Sequence, residues 1–68
     1  MSVLKVIEIL GSSEKSFEDA IKKVVKEASK TVKNIKSVNV KNMQATVEDN
    51  KVIEYRVNTK VCFEILKD

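Results

Sequence analysis

The chain has no histidine, no tryptophan and no proline, and only one glycine and one cysteine among its 68 residues. Without histidine, the commonest metal ligand and proton shuttle is missing, and so is the base that usually activates a cysteine or serine nucleophile. Gly11 alone cannot build a glycine-rich phosphate loop, and no paired acid–base constellation stands out. The residues therefore read as a binding or structural protein and not an enzyme. Cys62 has no partner for an intrachain disulfide. A single thiol and no recognisable secretory signal point to a reducing, cytoplasmic setting. The apolar run from Val3 to Leu10 is interrupted by Lys5 and Glu8 and is too short to span a bilayer, so no membrane partner is expected.

Charge is abundant but mixed. Thirteen basic and ten acidic residues leave a net charge of +3, a weak signal for nucleic acid. Readers of single-stranded nucleic acid need exposed aromatics for stacking. Here Phe17, Tyr55 and Phe63 all fall on apolar faces, so a basic nucleic-acid module is the lesser reading and no nucleic-acid partner is expected. The length suits one domain over residues 1–68. At this size a lone core is marginal, and without disulfides or an evident metal site the remaining support is association with other copies.

The most regular stretch is residues 51–66. Ile53, Tyr55, Val57, Thr59, Val61, Phe63 and Ile65 alternate with Glu54, Arg56, Asn58, Lys60 and Glu64. This is the period of a half-buried β-strand. Sixteen extended residues reach about 50 Å, several times a typical strand. Residues 2–10 form another strand, with Ile7 and Ile9 on one face and Leu4, Val6 and Leu10 on the other. Gly11-Ser12-Ser13 is expected to end it, with Gly11 supplying a positive φ.

A helix should follow. Ser16-Phe17-Glu18-Asp19 resembles a capping box with Asp in place of the usual Glu or Gln. Phe17, Ala20, Ile21, Val24, Val25, Ala28, Val32 and Ile35 make one apolar stripe, which predicts about 18 helical residues, or ~27 Å. Residues 36–47 form a strand whose alternation changes phase between Val40 and Met43. A β-bulge near Lys41-Asn42 would repair the register and leave Ser37, Asn39, Lys41, Gln44 and Thr46 on one polar face. Glu48-Asp49-Asn50 then reads as a hairpin turn, with Asn50 the best left-handed residue.

The order is β-α-β-β. A crossover leaves a gap between the first two strands, and the hairpin partner fits into it antiparallel. The fold class is thus α+β, a three-stranded antiparallel-type sheet in the order 1-3-2 curled around one helix. The helix covers the face bearing Tyr55, Val57, Val61 and Phe63. The opposite face is either solvent-exposed or the wall of a cavity shared between copies.

The sequence resembles the dodecin family over nearly its whole length. The resemblance rests on Lys5-Val6-Ile7-Glu8-Ile9, Gly11-Ser12-Ser13, Ser16-Phe17-Glu18-Asp19-Ala20, Ala28-Ser29-Lys30-Thr31-Val32, Glu48-Asp49-Asn50-Lys51, Glu54-Tyr55-Arg56-Val57 and Val61-Cys62-Phe63, in order and without gaps. It implies a hollow homododecamer with helices outside and sheets curving inward. It also implies storage or buffering of a flavin, FMN or riboflavin, on the inner sheet face. The position of the flavin-stacking Trp is Ser37 here, and that of a ring-edge Gln is Arg56. Gln44 and Glu64 stand where basic residues are often found. Ser37 offers no ring to stack, which forgoes roughly 1 kcal/mol per aromatic pair, and Arg56 donates but cannot accept. These four residues mark an altered ligand pocket. A small residue for the Trp and Arg after the Tyr also resemble the branch described as calcium-associated dodecins. No ligand set for calcium maps onto this chain, and its one dense oxygen cluster, Glu48-Asp49-Asn50, reads first as a polar turn. Arg56 reads either as a contact to an anion or ring edge, or as the partner of Glu54 or Glu64. Cys62 reads as a buried, inert thiol.

Overall fold

The computed structural model of the protein describes residues 3–65. Four elements follow in order, β1 (Val3–Ser13), α1 (Phe17–Ala28), β2 (Ile35–Glu48) and β3 (Lys51–Ile65). The sheet order is β1-β3-β2, and β3 is antiparallel to both neighbours. The topology is that expected from the residue pattern. The expected strand ends at Ser2 and Leu66 lie outside the described residues.

Alternation along β3 sorts its side chains between two faces. Val57, Thr59 and Val61 are buried, and with Ala20, Val24 and Ala28 of α1 they form the centre of the core. Ile7, Ile9, Phe17, Ile21, Ile35, Val38 and Val40 pack around it. Phe17 and Tyr55 meet edge to face, with ring centroids 5.0 Å apart, an arrangement worth about 0.5–1.5 kcal/mol beyond area burial. Thr59 is the polar exception in this layer. Its hydroxyl donates to the Ile9 carbonyl at 2.7 Å, so this buried oxygen is not left orphaned.

β1 runs to Ser13 instead of ending at Leu10. Gly11, Ser12 and Ser13 pair with Val57, Arg56 and Tyr55, and Gly11 has no positive φ. The glycine is needed for approach rather than for a turn. A Cβ there would collide with Val24 Cγ2 and stand 3.1 Å from the Ala20 carbonyl oxygen. Helix and strand therefore touch most closely where no side chain intervenes.

The helix cap also differs from the expected reciprocal box. Ser16 Oγ accepts from the Asp19 amide at 2.9 Å, as anticipated. The Asp19 carboxylate does not return to the Ser16 amide. It accepts from the Ser13 hydroxyl at 2.6 Å, while Ser13 Oγ accepts from the Lys15 amide at 2.9 Å. Buried Ser13 thus joins the end of β1 to the first turn of α1. Hydrogen bonding from Ser13, aided by Lys23 and Lys15, holds the Asp19 carboxyl below its ordinary value.

The helix is shorter than the apolar stripe suggested. It ends at Ala28 after 12 residues, about 18 Å, so Val32 and Ile35 are not helical. Ser29 Oγ donates to the Lys26 carbonyl at 2.7 Å and Thr31 Oγ1 to the Ala28 carbonyl at 3.5 Å. Such local bonds compete with continued helix. The chain then turns through Asn34 at φ 62°, and Ile35 opens β2. Val25, expected on the buried stripe, is exposed.

The bulge expected near Lys41 is present, with Lys41 the extra residue between Val40 and Asn42. Two further shifts occur, between Ile35 and Ser37 and between Thr46 and Val47. The hairpin loop has two residues, Asp49 at φ 52° and Asn50 at φ 61°. Two successive left-handed residues match a type I′ turn.

Two outcomes are expected here. Gly11→Ala should cost about 1–3 kcal/mol by overpacking, read as a shift of the urea midpoint with unchanged slope. Asp19→Asn should lower the melting temperature at neutral pH. The carboxyl titrates lower in the folded chain than its ordinary 3.8, so its stabilisation is present above that value and is lost as pH falls through the folded value. The gap between parent and variant should therefore close in acid, which melting curves from about pH 7 down to about pH 2.5 would show.

Candidate functional site

The sheet face away from α1 follows from the same alternation. β3 presents Glu54, Arg56, Asn58, Lys60, Cys62 and Glu64 there. Register sets β1 beside it, with Leu10 opposite Asn58 and Ser12 opposite Arg56. On the other side β2 sets Asn42 opposite Asn58, Gln44 opposite Arg56 and Thr46 opposite Glu54. The bulge at Lys41 makes this possible, because without the extra residue Asn42 and Gln44 would turn to the helix side.

Leu10, Gly11, Ser12, Asn42, Gln44, Arg56, Val57 and Asn58 line an open concavity of about 340 Å³. Arg56 Nε donates to Glu54 Oε1 at 3.0 Å, and the Thr46 hydroxyl donates to the same oxygen at 3.3 Å. Glu54 thus holds Arg56 by one edge, and Arg56 shares the concavity with Gln44, Asn42 and Asn58. These amides both donate and accept, and Leu10, 78% exposed, supplies an apolar wall. Such a surface can grip the polar edge and apolar face of a small planar molecule. Of the alternatives for Arg56, the pair with Glu54 is present, and Glu64 pairs instead with Lys36 at 3.7 Å.

Ser37 does not join this group. It lines a second open concavity of about 440 Å³ with Val6, Val38, Asn39, Lys60 and Cys62. Its β3 partner is Cys62, six residues from Arg56 or roughly 20 Å along the strand. Glu64 lies beyond it. Of the four residues singled out, the protomer brings Gln44 and Arg56 together and keeps Ser37 and Glu64 at the far end of the same face. At that separation Ser37 and Arg56 of one protomer do not face a common small concavity. Cys62 is half-buried on this face, not fully enclosed. Between the two concavities Lys41 Nζ reaches across β3 to Glu8 at 3.5 Å. The residues that motif reading missed are Leu10, Ser12 and Asn42, while Asn58 already shared a face with Arg56 in the alternation of β3. Strand parity would have found them, because each faces Arg56 or its neighbour once the bulge is placed.

Among the described residues no group of three or more His, Cys, Asp or Glu side chains converges on a common point. Glu48, Asp49 and Asn50 belong to the hairpin end and its turn. No helix there is long and apolar enough to cross a membrane.

A family model described as Dodecin matches residues 3–66. The chain belongs to the dodecin family. It is 35% identical over 65 residues to the calcium dodecin of Mycobacterium tuberculosis, covering 96% of this chain and 92% of the relative. It is 33% identical over 63 residues to the dodecin of Thermus thermophilus, covering 93% and 91%. Among solved structures, the tt0972 protein of Thermus thermophilus superposes with a TM-score of 0.93 at 31% identity, with both chains fully covered. The crystal structure of the Mycobacterium tuberculosis calcium dodecin, described as having a novel calcium-binding site, gives 0.81 at 33% identity, covering 94% of this chain and 91% of the other. A dodecin therefore carries this β-α-β-β arrangement, and its members are small binding proteins.

Because the Arg56–Glu54 pair is exposed, Arg56→Ala should cost the fold no more than ~1 kcal/mol. Thr59→Val, which removes a buried hydrogen bond, should cost about 1–2 kcal/mol. Urea titrations of the two variants check the order. A larger loss for Arg56→Ala would mean that this side chain supports the sheet.

Proposed function

We propose that the protein is a non-enzymatic, homododecameric binding and storage protein for a small organic ligand, one dodecin domain over residues 1–68, working in the cytoplasm. The observation that carries this reading is the open sheet face. It sets Arg56, Gln44, Asn42 and Asn58 beside exposed Leu10, and no element among the described residues of a protomer covers them. A hollow assembly with sheets inward would enclose that face and bring the Ser37 end of one copy toward the Arg56 end of another.

The pocket is not built for the usual flavin dimer. Ser37 stands at the stacking position and Arg56 at the edge position. FMN and riboflavin are therefore weak ligands in this reading, and the resident ligand is another small molecule with a polar edge. Flavin storage is the alternative that the test separates. Native mass spectrometry should give a dodecamer, and a monomer at micromolar concentration would sink the proposal. Titration with riboflavin and with FMN should give little fluorescence quenching. Ser37→Trp combined with Arg56→Gln should restore it, with stacking alone worth about 1 kcal/mol, or roughly fivefold in affinity. Tight stoichiometric quenching by the parent would favour flavin storage.

A second reading, a calcium-binding shell, is supported by the 35% identity to a calcium dodecin. Calcium takes 6–8 oxygen ligands at roughly 2.3–2.6 Å, more than the described side chains of one protomer gather. In this reading the oxygens come from several copies or from backbone carbonyls. Calorimetric titration with calcium distinguishes the two, since only this reading expects saturable heat from the ion alone.

A further inference from the structure

On the polar sheet face Glu8, Glu54 and Glu64 each have a basic partner. Glu54 pairs with Arg56 at 3.0 Å, Glu64 with Lys36 at 3.7 Å and Glu8 with Lys41 at 3.5 Å. Lys60 shares that face and makes no ion pair among the described residues. Its register neighbours are Glu8 on β1 and Asn39 on β2, and side chains directly opposite each other lie within about 5 Å at Cβ. Glu8 therefore stands beside two cations, Lys41 and Lys60, and neutralises one of them. Lys60 is also half-buried. A partly desolvated charge without a counter-ion is costly, and an anion from solution offsets that cost.

Lys60 lines the open concavity of about 440 Å³ that also holds Ser37, Asn39 and Cys62. That volume suits a small molecule. Every polar side chain of its lining can donate: the ammonium, the Asn39 amide, the Ser37 hydroxyl and, weakly, the Cys62 thiol. No carboxylate lines it. Val6, 51% exposed, and half-buried Val38 supply an apolar wall. The concavity stays open at position 37 because serine is small. Its charge is an ammonium and not a guanidinium. The flat fork of arginine matches a planar carboxylate, whereas lysine acts as a point charge and is a common phosphate binder.

We propose that the concavity around Lys60 is a phosphate site, which takes the phosphate group of a small organic monoester. Lys60 supplies the counter-charge. Asn39 and Ser37 donate to the phosphate oxygens, and Val6 and Val38 receive the carbon skeleton. Lys41, which reaches Glu8 from the bulge next to this end of β2, keeps that acid occupied and away from the bound anion. The apolar wall favours a monoester over free phosphate, which has no carbon to place there. The site goes beyond the function proposed above. It uses no residue of the Arg56 concavity, and all of its residues belong to one protomer.

Calorimetric titration of the full chain tests the site with phenyl phosphate, inorganic phosphate and benzoate. It is run at about pH 8, where a phosphate monoester is a dianion, with chloride holding the ionic strength constant. Phenyl phosphate should give saturable heat with a dissociation constant of about 1 mM or below. Benzoate, the same ring with a planar carboxylate, should bind at least about tenfold more weakly. Tighter binding of phenyl phosphate than of inorganic phosphate supports the monoester. Equal binding keeps the phosphate site and overturns the monoester in favour of the free ion. Lys60→Gln should weaken phenyl phosphate at least about tenfold, the size of a lost charge-assisted bond, and Ser37→Leu should weaken it by filling the space. Lys60→Arg, which keeps the charge, should retain most of the binding. Lys26→Gln removes an equal charge from an exposed position on α1 and should leave binding unchanged. Circular dichroism checks that each variant is folded. No saturable heat below about 10 mM phenyl phosphate, benzoate binding as tightly, or a Lys60→Gln loss no larger than that of Lys26→Gln overturns the site. None of these results bears on the Arg56 concavity or on assembly, which the flavin titrations and native mass spectrometry decide.

Discussion

Gly11 is where β1 and α1 come closest, and much of the molecule depends on that approach. With no Cβ between them, Val24 and the Ala20 carbonyl settle directly on the strand. The helix is then held over β1 and β3 and stapled at its start by Ser13, Ser16 and Asp19. It is about 18 Å long on a central strand of about 50 Å. One helix so placed makes one small core, Ala20, Val24, Ala28, Val57 and Val61, and leaves the rest of both sheet faces uncovered.

The proposed function rests on those uncovered surfaces. A domain this small has little core with which to offset its conformational entropy, so apolar area left on the hairpin and on Leu4, Val6 and Leu10 is costly unless other copies bury it. The same geometry that makes a lone protomer marginal leaves the hairpin and the polar sheet face open to other copies.

The polar face is constructed by register. One extra residue at Lys41 returns Asn42 and Gln44 to the face that holds Arg56, and Glu54 fixes the orientation of that guanidinium. The ion pair is exposed and adds little stability. Its effect is to present donors in one direction. Ser37, at the far end of the face, belongs to a different concavity in the protomer.

The strand order, the central place of β3, the bulge near Lys41 and the cap at Ser16 were legible in the amino-acid sequence. Each is written in local terms: a period of two, a slip in that period, or a short polar motif before an apolar stripe. The dodecin pattern was legible too. The end of α1 was not, because Val32 and Ile35 continue the helical spacing while Ser29, Thr31 and Asn34 turn the backbone away. The role of Gly11 was misread as a turn, since a need for close approach depends on what lies across the gap. The gathering of Leu10, Asn42, Gln44 and Arg56 likewise came only from tertiary structure. Periodicity says which side of its own strand a residue takes; which residues from three strands become neighbours is decided by pairing register, a long-range property set when the strands dock.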